Sequence, residues 1–376
     1  MRLSVCLIVR NEESRLAGAI ESVRAVADEI VVTDTGSTDT TVAMAERLGA
    51  RVSHFAWCED FAAARNACRA HARGDWLLWL DADERLKPGS ETELRSAISN
   101  TAAAAWHVIR EDFFAHDRTD WYSEMYQLRL VRRDLPCSFV GRIHEHLEPS
   151  PVDIAGRLGK FVRASSIRLQ HWGYTADRQP AKLRRAAAMC AMELRDRPGQ
   201  LYYLVEHARA LIAIRDPGGP AALAAATVSM LEHRASPTPP SPMAASLIEQ
   251  LLALPGQKWI SIDDLLDLAS RWFPRSAPLI WAAARTHSIR GEWPLAESAL
   301  RRLLRLLETS TYDRYMSFDP RITEDARFNL GVALVRQARL PEARAIFEKL
   351  LGGDRRATDA RKNLDAINEL LARHGG

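Results

Sequence analysis

Apolar runs alternate with amphipathic stretches through the first 83 residues, and this alternation sets the expected fold. The apolar runs are rich in β-branched residues and have the length of buried strands; they span residues 2–9, 29–36, 51–57 and 75–83. Between them, apolar residues recur at helical spacing over residues 13–27, 37–50 and 60–74. Ser37 or Thr38 is the expected cap of the second helix. This order predicts an α/β fold with a mostly parallel, doubly wound sheet and helices on both faces.

The pattern changes twice further along the chain. Residues 106–172 contain shorter strand-like segments between long loops, which predict mixed or antiparallel strands. After Tyr174 the strand pattern disappears and almost every segment is helical, apart from a Pro- and Ser-rich piece at residues 234–242 that we expect to be flexible. We therefore expect two domains, an α/β domain at residues 1–178 and an all-α domain at residues 179–376.

Two helical hairpins near the end of the chain share one spacing of small and apolar residues. The matching positions are Ala284, Ala296, Leu300 and Leu303 in the first hairpin and Gly331, Ala343, Phe347 and Leu350 in the second. A small residue at a close helix crossing, followed by apolar residues that pack on the next pair, is typical of tetratricopeptide repeats. The copies lie further apart than the usual ~34 residues, which leaves residues 310–321 as an extra segment.

Composition narrows the range of functions. The chain has 376 residues and a net charge of +3, whereas a dedicated nucleic-acid-binding domain would be clearly more basic. Its five cysteines are scattered without a CxxC pair, which argues against a disulfide framework or a zinc knuckle and fits a reducing compartment. The N-terminal apolar run is too short for a signal peptide, and no run approaches the ~20 apolar residues of a membrane span. We therefore expect a cytoplasmic protein.

The most hydrophobic strand runs directly into a group of carboxylates, Asp81, Asp83 and Glu84. Ligands of doubly wound sheets bind beyond the carboxyl ends of the strands, where Asn11–Glu13 and Asp34–Gly36 also lie. Carboxylates so close together raise each other's pKa unless a cation neutralises them. Oxygen ligands at this density suit Mg²⁺ or Mn²⁺ shared with substrate phosphates, and such an ion would stabilise a departing diphosphate. The alternative is a solvated turn whose acids cap the next helix.

Five ordered motifs resemble one enzyme family. They are LSVCLIVRNEESRL, EIVVTDTGSTDTT, HFAWCEDFAAARNACRAHARGDWLLWLDADE, GRIHEHL and QHWGY, and together they cover roughly residues 1–175. They resemble the family-2 nucleotide-sugar glycosyltransferases of the GT-A (Rossmann-like) fold, in the bacterial branch that carries a tetratricopeptide-like tail. Some members of that branch look like S-glycosyltransferases that modify Cys or Ser in small peptides. The resemblance implies an inverting, metal-dependent transfer of a hexose-type sugar from a UDP-sugar to an acceptor.

The resemblance also implies residues that hold the donor. They are Val9, Asn11, Glu12, Asp34, Arg65, Asp81 and Ala82. Asp34 would accept a hydrogen bond from uracil, the backbone from Val9 to Glu12 would pass along the base, and Arg65 would help to neutralise the diphosphate. An Asx turn is the alternative for Asp34, and a surface salt bridge is the alternative for Arg65.

For the metal, Mn²⁺ or Mg²⁺, the resemblance implies Asp83 as the principal ligand. Asp81 would contact the ribose or a metal-bound water, and His171 would complete the metal shell unless it is a structural histidine. For the base that takes the acceptor's proton, Glu145 is the first choice. In an extended segment His144 and His146 would point one way and Glu145 the other; a zinc pair of the two histidines has no further ligands nearby, and an inert polar loop is the remaining alternative.

Partners and rival functions stay open at this level. Trp121, Tyr122 and Trp172 could stack on a sugar or acceptor, although core packing is the commoner role of such residues. The acceptor could be a peptide, a protein or a glycan, and the helical domain could support a homodimer. One rival is a catalytically idle GT-A platform whose repeats bind proteins. Another is a nucleotidyltransferase, but residues 9–16 lack the glycine and lysine that such enzymes carry after the first strand.

Overall fold

The computed structural model describes residues 1–115, 120–173, 179–313, 316–353 and 355–374. The strands are β1 Leu3–Val9, β2 Glu29–Asp34, β3 Arg51–His54, β4 Trp76–Trp79, β5 Glu84–Leu86, β6 Ala103–Phe113, β7 Tyr122–Arg132, β8 Ser138–Val140, β9 His146–Glu148 and β10 Phe161–His171. The first helices are α1 Leu16–Val23, α2 Thr41–Arg47, α3 Phe61–His71, α4 Glu91–Ser99, α5 Pro151–Arg157, α6 Gln179–Asp196 and α7 Leu201–Ala213. The remaining helices are α8 Gly219–Leu231, α9 Met243–Ala253, α10 Ile262–Trp272, α11 Ala277–Ile289, α12 Trp293–Glu308, α13 Ile322–Arg336, α14 Leu340–Leu350 and α15 Ala357–His374.

Eight strands form one sheet in the order β3-β2-β1-β4-β7-β6-β10-β5. The first four strands in that order are parallel, as the alternation of strands and helices predicts. β7 is inserted antiparallel between β4 and β6, and β10 runs parallel to β6. The GT-A-like α/β fold expected from the sequence is therefore confirmed, with an extension of mixed direction.

The two faces of β1 explain why its sequence is apolar throughout. Leu7 and its alternate neighbours lie in one core cluster with Leu78, whereas Cys6 lies in a second cluster with Leu77 and Trp79. Successive side chains of a strand point to opposite faces, and helices cover both faces of a parallel sheet. A strand at the centre of such a sheet therefore has no solvent-facing side.

Two local expectations need correction. Helix α2 begins at Thr41 and its N-cap is Thr40, not Ser37 or Thr38, because the preceding residues bind the loop after β1 instead. The segments expected to be short between residues 106 and 172 include three strands of eleven residues, β6, β7 and β10. Register shifts interrupt β6 and β10. A one-residue shift, as between Trp106 and His107 of β6, moves the following side chains to the other face and breaks the sequence alternation.

The chain forms two compact units, residues 1–220 and 221–376. Helices α6 and α7 thus belong to the same unit as the sheet, whereas the expected boundary after residue 178 follows the change of secondary structure and stays a prediction. The start of the connection at residues 234–242 is anchored, since Arg271 and Trp272 donate hydrogen bonds to the carbonyls of Arg234 and Ser236; the flexibility expected of this connection stays a prediction.

The second unit is helical, and its core joins α11 to α15. At Gly331 a Cβ would lie 2.6 Å from the ring of Phe347. This close helix crossing explains why a small residue occurs there, as the repeat spacing predicts. Of the described helices, none has both the length and the apolar character required to cross a bilayer.

Candidate active site

The carboxyl ends of three adjacent strands meet at one edge of the sheet. β1 lies between β2 and β4, and Val9 is directly opposite Asp34. The loops after these strands carry the polar residues singled out in the sequence. The order of the strands therefore places the three loops side by side, at the edge where doubly wound sheets bind ligands.

The loops after β1 and β2 are joined by hydrogen bonds. The backbone N–H of Asn11 donates to Oγ of Ser37 (2.9 Å), and Oδ1 of Asn11 accepts from the N–H of Thr38 (2.8 Å). The carbonyl of Val9 accepts from the N–H of Thr35 (2.9 Å). Asn11 adopts a left-handed backbone conformation (φ 55°), which asparagine tolerates better than most residues.

Asp34 ends β2 inside an Asx turn. Its carboxylate accepts from the N–H groups of Gly36 (3.1 Å) and Ser37 (3.0 Å). Burial opposes ionisation of Asp34, but these bonds and the nearby His54 outweigh it and lower the pKa. The turn proposed as the alternative for Asp34 is therefore present, and it fixes an ionised carboxylate at this edge; contact with a nucleobase stays a prediction.

Asp81 lies between two buried arginines. Its Oδ1 accepts from Nη2 of Arg65 (3.0 Å), and its Oδ2 accepts from Nη2 of Arg129 (3.0 Å). Burial alone would raise the pKa of Asp81, but the charges of Arg129 and Arg65 hold it well below its usual range. Both carboxylate oxygens are thus engaged by guanidinium groups. The adjacent Ala82 is buried in the main core.

Glu84 explains how the turn after β4 is fixed. Its side chain is fully buried, accepts from Nη2 of Arg129 (2.9 Å) and accepts from the backbone N–H of Asp81 (2.9 Å). Burial raises the pKa of Glu84, although Arg129 opposes the rise. Glu84 therefore holds the turn from inside the protein rather than facing a ligand.

Arg65 also binds Glu145. Its Nε donates to Oε1 of Glu145, and its guanidinium lies over the ring of Trp79, 5.2 Å from the centroid. The ion pair considered for Arg65 is therefore real, but it is buried and not at the surface, because only 7% of Arg65 is exposed. The network links the first acid of the Asp81–Asp83 motif to the residue expected to act as the base.

Asp83 faces His171 and not the two arginines that bind Asp81. Oδ2 of Asp83 lies 3.6 Å from Nε2 of His171, and Nδ1 of His171 lies 2.6 Å from Oδ1 of Asp112. Burial lowers the pKa of His171, but Asp112 and Asp83 outweigh it and raise the pKa to about 9. Burial likewise opposes ionisation of Asp83, but contact with His171 lowers its pKa.

Gly173 packs directly against this pair. A Cβ at Gly173 would lie 2.2 Å from Nε2 of His171 and 2.7 Å from Oδ2 of Asp83, so any larger residue would displace them. Nε2 and Oδ2 are 3.6 Å apart, a separation that two ligands of one cation can have when each bond is about 2.0–2.1 Å long, as for Mg²⁺. The imidazole and carboxylate thus fit a divalent cation. Among the described residues no group of three or more His, Cys, Asp or Glu side chains is placed to hold a metal, so phosphate oxygens and water would have to supply the other ligands.

Arg15 connects the end of β1 to this pair. Its Nη1 lies 3.9 Å from Oε2 of Glu12 and 3.9 Å from Oδ2 of Asp83. The backbone N–H of Glu12 donates to Oγ1 of Thr41 at the start of α2 (2.8 Å). Glu12 is therefore held by Thr41 at the start of α2 and by Arg15, which also lies beside Asp83 of the candidate metal site.

Helices α6 and α7 hold the loop that carries Glu145. Glu193 accepts from the N–H of Arg142 (3.0 Å), and a Cβ at Gly141 would lie 2.3 Å from the hydroxyl of Tyr203. Nε2 of His144 lies 3.4 Å from Oε2 of Glu206. The two helices after residue 178 thus shape the candidate base loop, a role that the sequence did not indicate.

The two histidines of this loop do not form a metal pair. His144 has a left-handed backbone (φ 55°), so the alternation expected of an extended segment does not apply to it. It faces Glu206, whereas Nε2 of His146 lies 3.0 Å from Oε1 of Glu148. The expectation that both histidines point the same way is wrong.

The aromatic side chains of Trp121, Tyr122 and Trp172 each pack against a phenylalanine ring. Trp172 stacks on Phe113 (5.3 Å, 13° between the rings), and Tyr122 packs on Phe113 at 5.4 Å. Trp121 packs on Phe114 at 5.6 Å, and both are more than a third exposed. Trp172 and Tyr122 therefore contribute to packing, while Trp121 remains accessible; a stacking role for the three stays a prediction.

Sequence reasoning missed Arg129, Asp112, Arg15 and Glu206. Arg129 and Asp112 are charged residues inside strands, and a buried charge is costly unless it is paired. A charge in a strand-like run was thus a usable signal for both. Glu206 lies in an ordinary amphipathic helix and gave no signal.

Comparison with known proteins agrees with this geometry. Residues 4–154 match the family model for "Glycosyl transferase family 2". This stretch is a glycosyltransferase family 2 domain. It contains all three strand-end loops and Glu145, whereas His171 lies beyond the matched residues.

Relatives of the glycosyltransferase domain include a protein named for its TPR repeats and proteins named as glycosyltransferases. A TPR repeat-containing protein of Synechococcus elongatus is 37% identical over 179 residues, 47% of this chain and 43% of that protein. An uncharacterized glycosyltransferase of Rickettsia conorii is 39% identical over 93 residues, 25% of this chain and 33% of that protein. The glycosyltransferase SunS of Bacillus subtilis is 25% identical over 141 residues, 37% of this chain and 33% of that protein. The chain thus spans less than half the length of the relatives it matches.

Proposed function

We propose that the protein is an inverting, metal-dependent glycosyltransferase that moves a hexose-type sugar from a UDP-sugar to an acceptor. The observation that carries this proposal is the Asp83–His171 pair, whose Oδ2 and Nε2 atoms are 3.6 Å apart, at the sheet edge where the strand-end loops match glycosyltransferase family 2. Mn²⁺ or Mg²⁺ held by Asp83 and His171 would supply positive charge to the leaving diphosphate.

Arg65 would bind the diphosphate directly. Its Nη1 is buried and has no hydrogen-bond partner in the part of the chain that the structure describes, although Nε and Nη2 are engaged by Glu145 and Asp81. A buried donor without an acceptor costs free energy, and a phosphate oxygen would remove that cost.

Asp81 would act mainly through its arginines. Because both of its oxygens accept from guanidinium groups, a contact with ribose or with a metal-bound water would be additional to those bonds. Asp34 and the backbone from Val9 to Glu12 lie in the loops after β1 and β2, which hydrogen bonds join to each other. These groups would bind the uridine.

Glu145 would take the proton from the acceptor. Proton transfer requires a group within hydrogen-bond reach of the acceptor. Arg65 donates a hydrogen bond to the Glu145 carboxylate and would hold it beside the diphosphate of the donor. In one displacement the acceptor atom bonds to the anomeric carbon, the bond to the diphosphate breaks, and the acceptor's proton passes to Glu145. His144, turned toward Glu206, would help to shape the acceptor side.

The acceptor we propose is a peptide side chain, Cys or Ser. Support comes from the resemblance to peptide-modifying members of the family and from the helical repeats, which form protein-binding surfaces in other proteins. A panel of nucleotide sugars, scored for hydrolysis with Mn²⁺ and with EDTA, tests the donor half of the proposal. Metal-dependent hydrolysis of one UDP-sugar is expected, and equal hydrolysis with EDTA would contradict it.

A further inference from the structure

Asp112 and His171 face each other across two neighbouring strands. They are register partners in β6 and β10, and Oδ1 of Asp112 lies 2.6 Å from Nδ1 of His171. Asp112 is 3% exposed and His171 is 5% exposed. The contact is thus made inside the protein, where a short bond between such groups fixes the ring.

Arg110 fixes Asp112 in turn. Nε of Arg110 lies 2.7 Å from Oδ1 of Asp112, and Nη2 donates to Oδ2 (3.0 Å). Both oxygens of Asp112 are therefore engaged, and its carboxylate has little freedom to turn. A carboxylate held this way can orient the ring of the histidine that it contacts.

The other nitrogen of His171 faces Asp83. With Nδ1 directed at Asp112, Nε2 lies 3.6 Å from Oδ2 of Asp83. Two ligands of one divalent cation can be this far apart, since each bond is about 2.0–2.1 Å long for Mg²⁺. The arrangement directs both side chains toward a point where one cation could contact them.

We propose that Asp112 is a positioning residue that fixes the ring orientation of His171, so that Nε2 can bind the divalent cation. This inference rests on the proposed metal role of Asp83 and His171. Carboxylates behind metal-binding histidines orient the ring, and their loss typically costs about 10–100-fold in metal affinity.

Glu111 offers a matched control. It is the neighbouring residue on β6 and is fully buried, but it pairs with Lys87 (2.8 Å) and Arg168 (2.6 Å) rather than with His171. A loss of metal affinity caused by removing any buried carboxylate from β6 would occur in both variants. A positioning role predicts the loss only at Asp112.

The test is a titration of the full chain with Mn²⁺ in the presence of UDP, followed by the electron paramagnetic resonance signal of free Mn²⁺. Asp112→Asn should weaken Mn²⁺ binding by about 10–100-fold, and Glu111→Gln should leave it within about twofold, by the same reasoning. Pulsed spectra should show ¹⁴N coupling from a histidine in the wild type and in Glu111→Gln, with loss of that coupling in Asp112→Asn. Melting curves in EDTA report whether each variant folds.

The outcomes separate this inference from the proposed function. Wild-type affinity in Asp112→Asn, or an equal loss in Glu111→Gln, overturns the positioning role while the metal site stands. A wild-type protein that binds no Mn²⁺ with UDP overturns the metal site and the inference with it. If Asp112→Asn does not fold, Asp112→Glu, which moves the carboxylate by one methylene, is titrated instead; it should also bind Mn²⁺ more weakly, and unchanged affinity overturns the role.

Discussion

The guanidinium of Arg65 donates a hydrogen bond to the carboxylate of Glu145, although the two residues are 80 positions apart in the sequence. Arg65 lies on α3 and Glu145 lies in the loop before β9. The same guanidinium reaches Asp81. One buried side chain therefore couples the donor side of the candidate site to the group that would accept the proton.

Glu145→Gln should separate binding from transfer. Glutamine keeps the size of the side chain but cannot take a proton, so we expect UDP to bind with Mn²⁺ while the rate of sugar transfer falls by about 10²–10⁴-fold. Calorimetry measures binding and product formation measures transfer. Glu148→Gln, which alters an exposed carboxylate paired with His146, is the control, and normal transfer by Glu145→Gln would assign the base elsewhere.

Arg65→Lys should weaken both the fold and donor binding. A lysine cannot contact Asp81 and Glu145 as a planar fork does, and hydrogen bonds to charged groups contribute about 1.5–3 kcal/mol each. We expect a lower free energy of unfolding by about that amount, and UDP affinity reduced by about 10–100-fold. Urea unfolding and calorimetry measure the two effects. Arg73→Lys, at an exposed position, should change neither; an unaltered Arg65→Lys protein would refute the bridging role.

Gly173→Ala should remove the response to metal. The added methyl would lie 2.2 Å from Nε2 of His171 and 2.7 Å from Oδ2 of Asp83 and would displace both groups, so Mn²⁺ should no longer strengthen UDP binding. The matched control is Gly156→Ala in α5, where a Cβ meets nothing within 4 Å. The idea fails if Gly173→Ala keeps the wild-type metal response in calorimetric titrations.

Truncation should show that α6 and α7 belong with the catalytic unit. A chain of residues 1–220 retains Glu193, Tyr203 and Glu206 against the Glu145 loop, whereas a chain of residues 1–178 loses all three. We expect the longer piece to melt cooperatively and to bind UDP, and the shorter one to lose at least one of these properties. Equal behaviour of the two pieces by circular dichroism and calorimetry would instead support the boundary at residue 178.

The parallel half of the fold was predictable because the sequence of each strand and helix shows which of its faces are buried. Strands such as β1 are buried on both faces, so their sequences are apolar throughout and alternate with amphipathic helices. The extension of the sheet by β7, β6 and β10 was harder to predict from the sequence, since β7 pairs with both β4 and β6 through contacts distant in sequence. Register shifts in β6 and β10 further mask their length.

The candidate site was predictable where residues lie at strand ends, as for Asp34 and Asp83. It was not predictable where function depends on pairing between distant strands. Arg129 reaches Asp81 across 48 positions, and Asp112 reaches His171 across 59. A single sequence gives the charge of such residues but not the partner, which the strand order determines.

Calorimetric titration of UDP, with Mn²⁺ and with EDTA, tests the central claim that Asp83 and His171 hold the cation that binds the donor diphosphate. The wild type should bind UDP at least about tenfold more tightly with Mn²⁺, a difference of about 1.4 kcal/mol. Asp83→Ala should abolish that difference, and Asp153→Ala, at an exposed position in α5, should preserve it. An Asp83→Ala protein with the full Mn²⁺ effect would contradict the account.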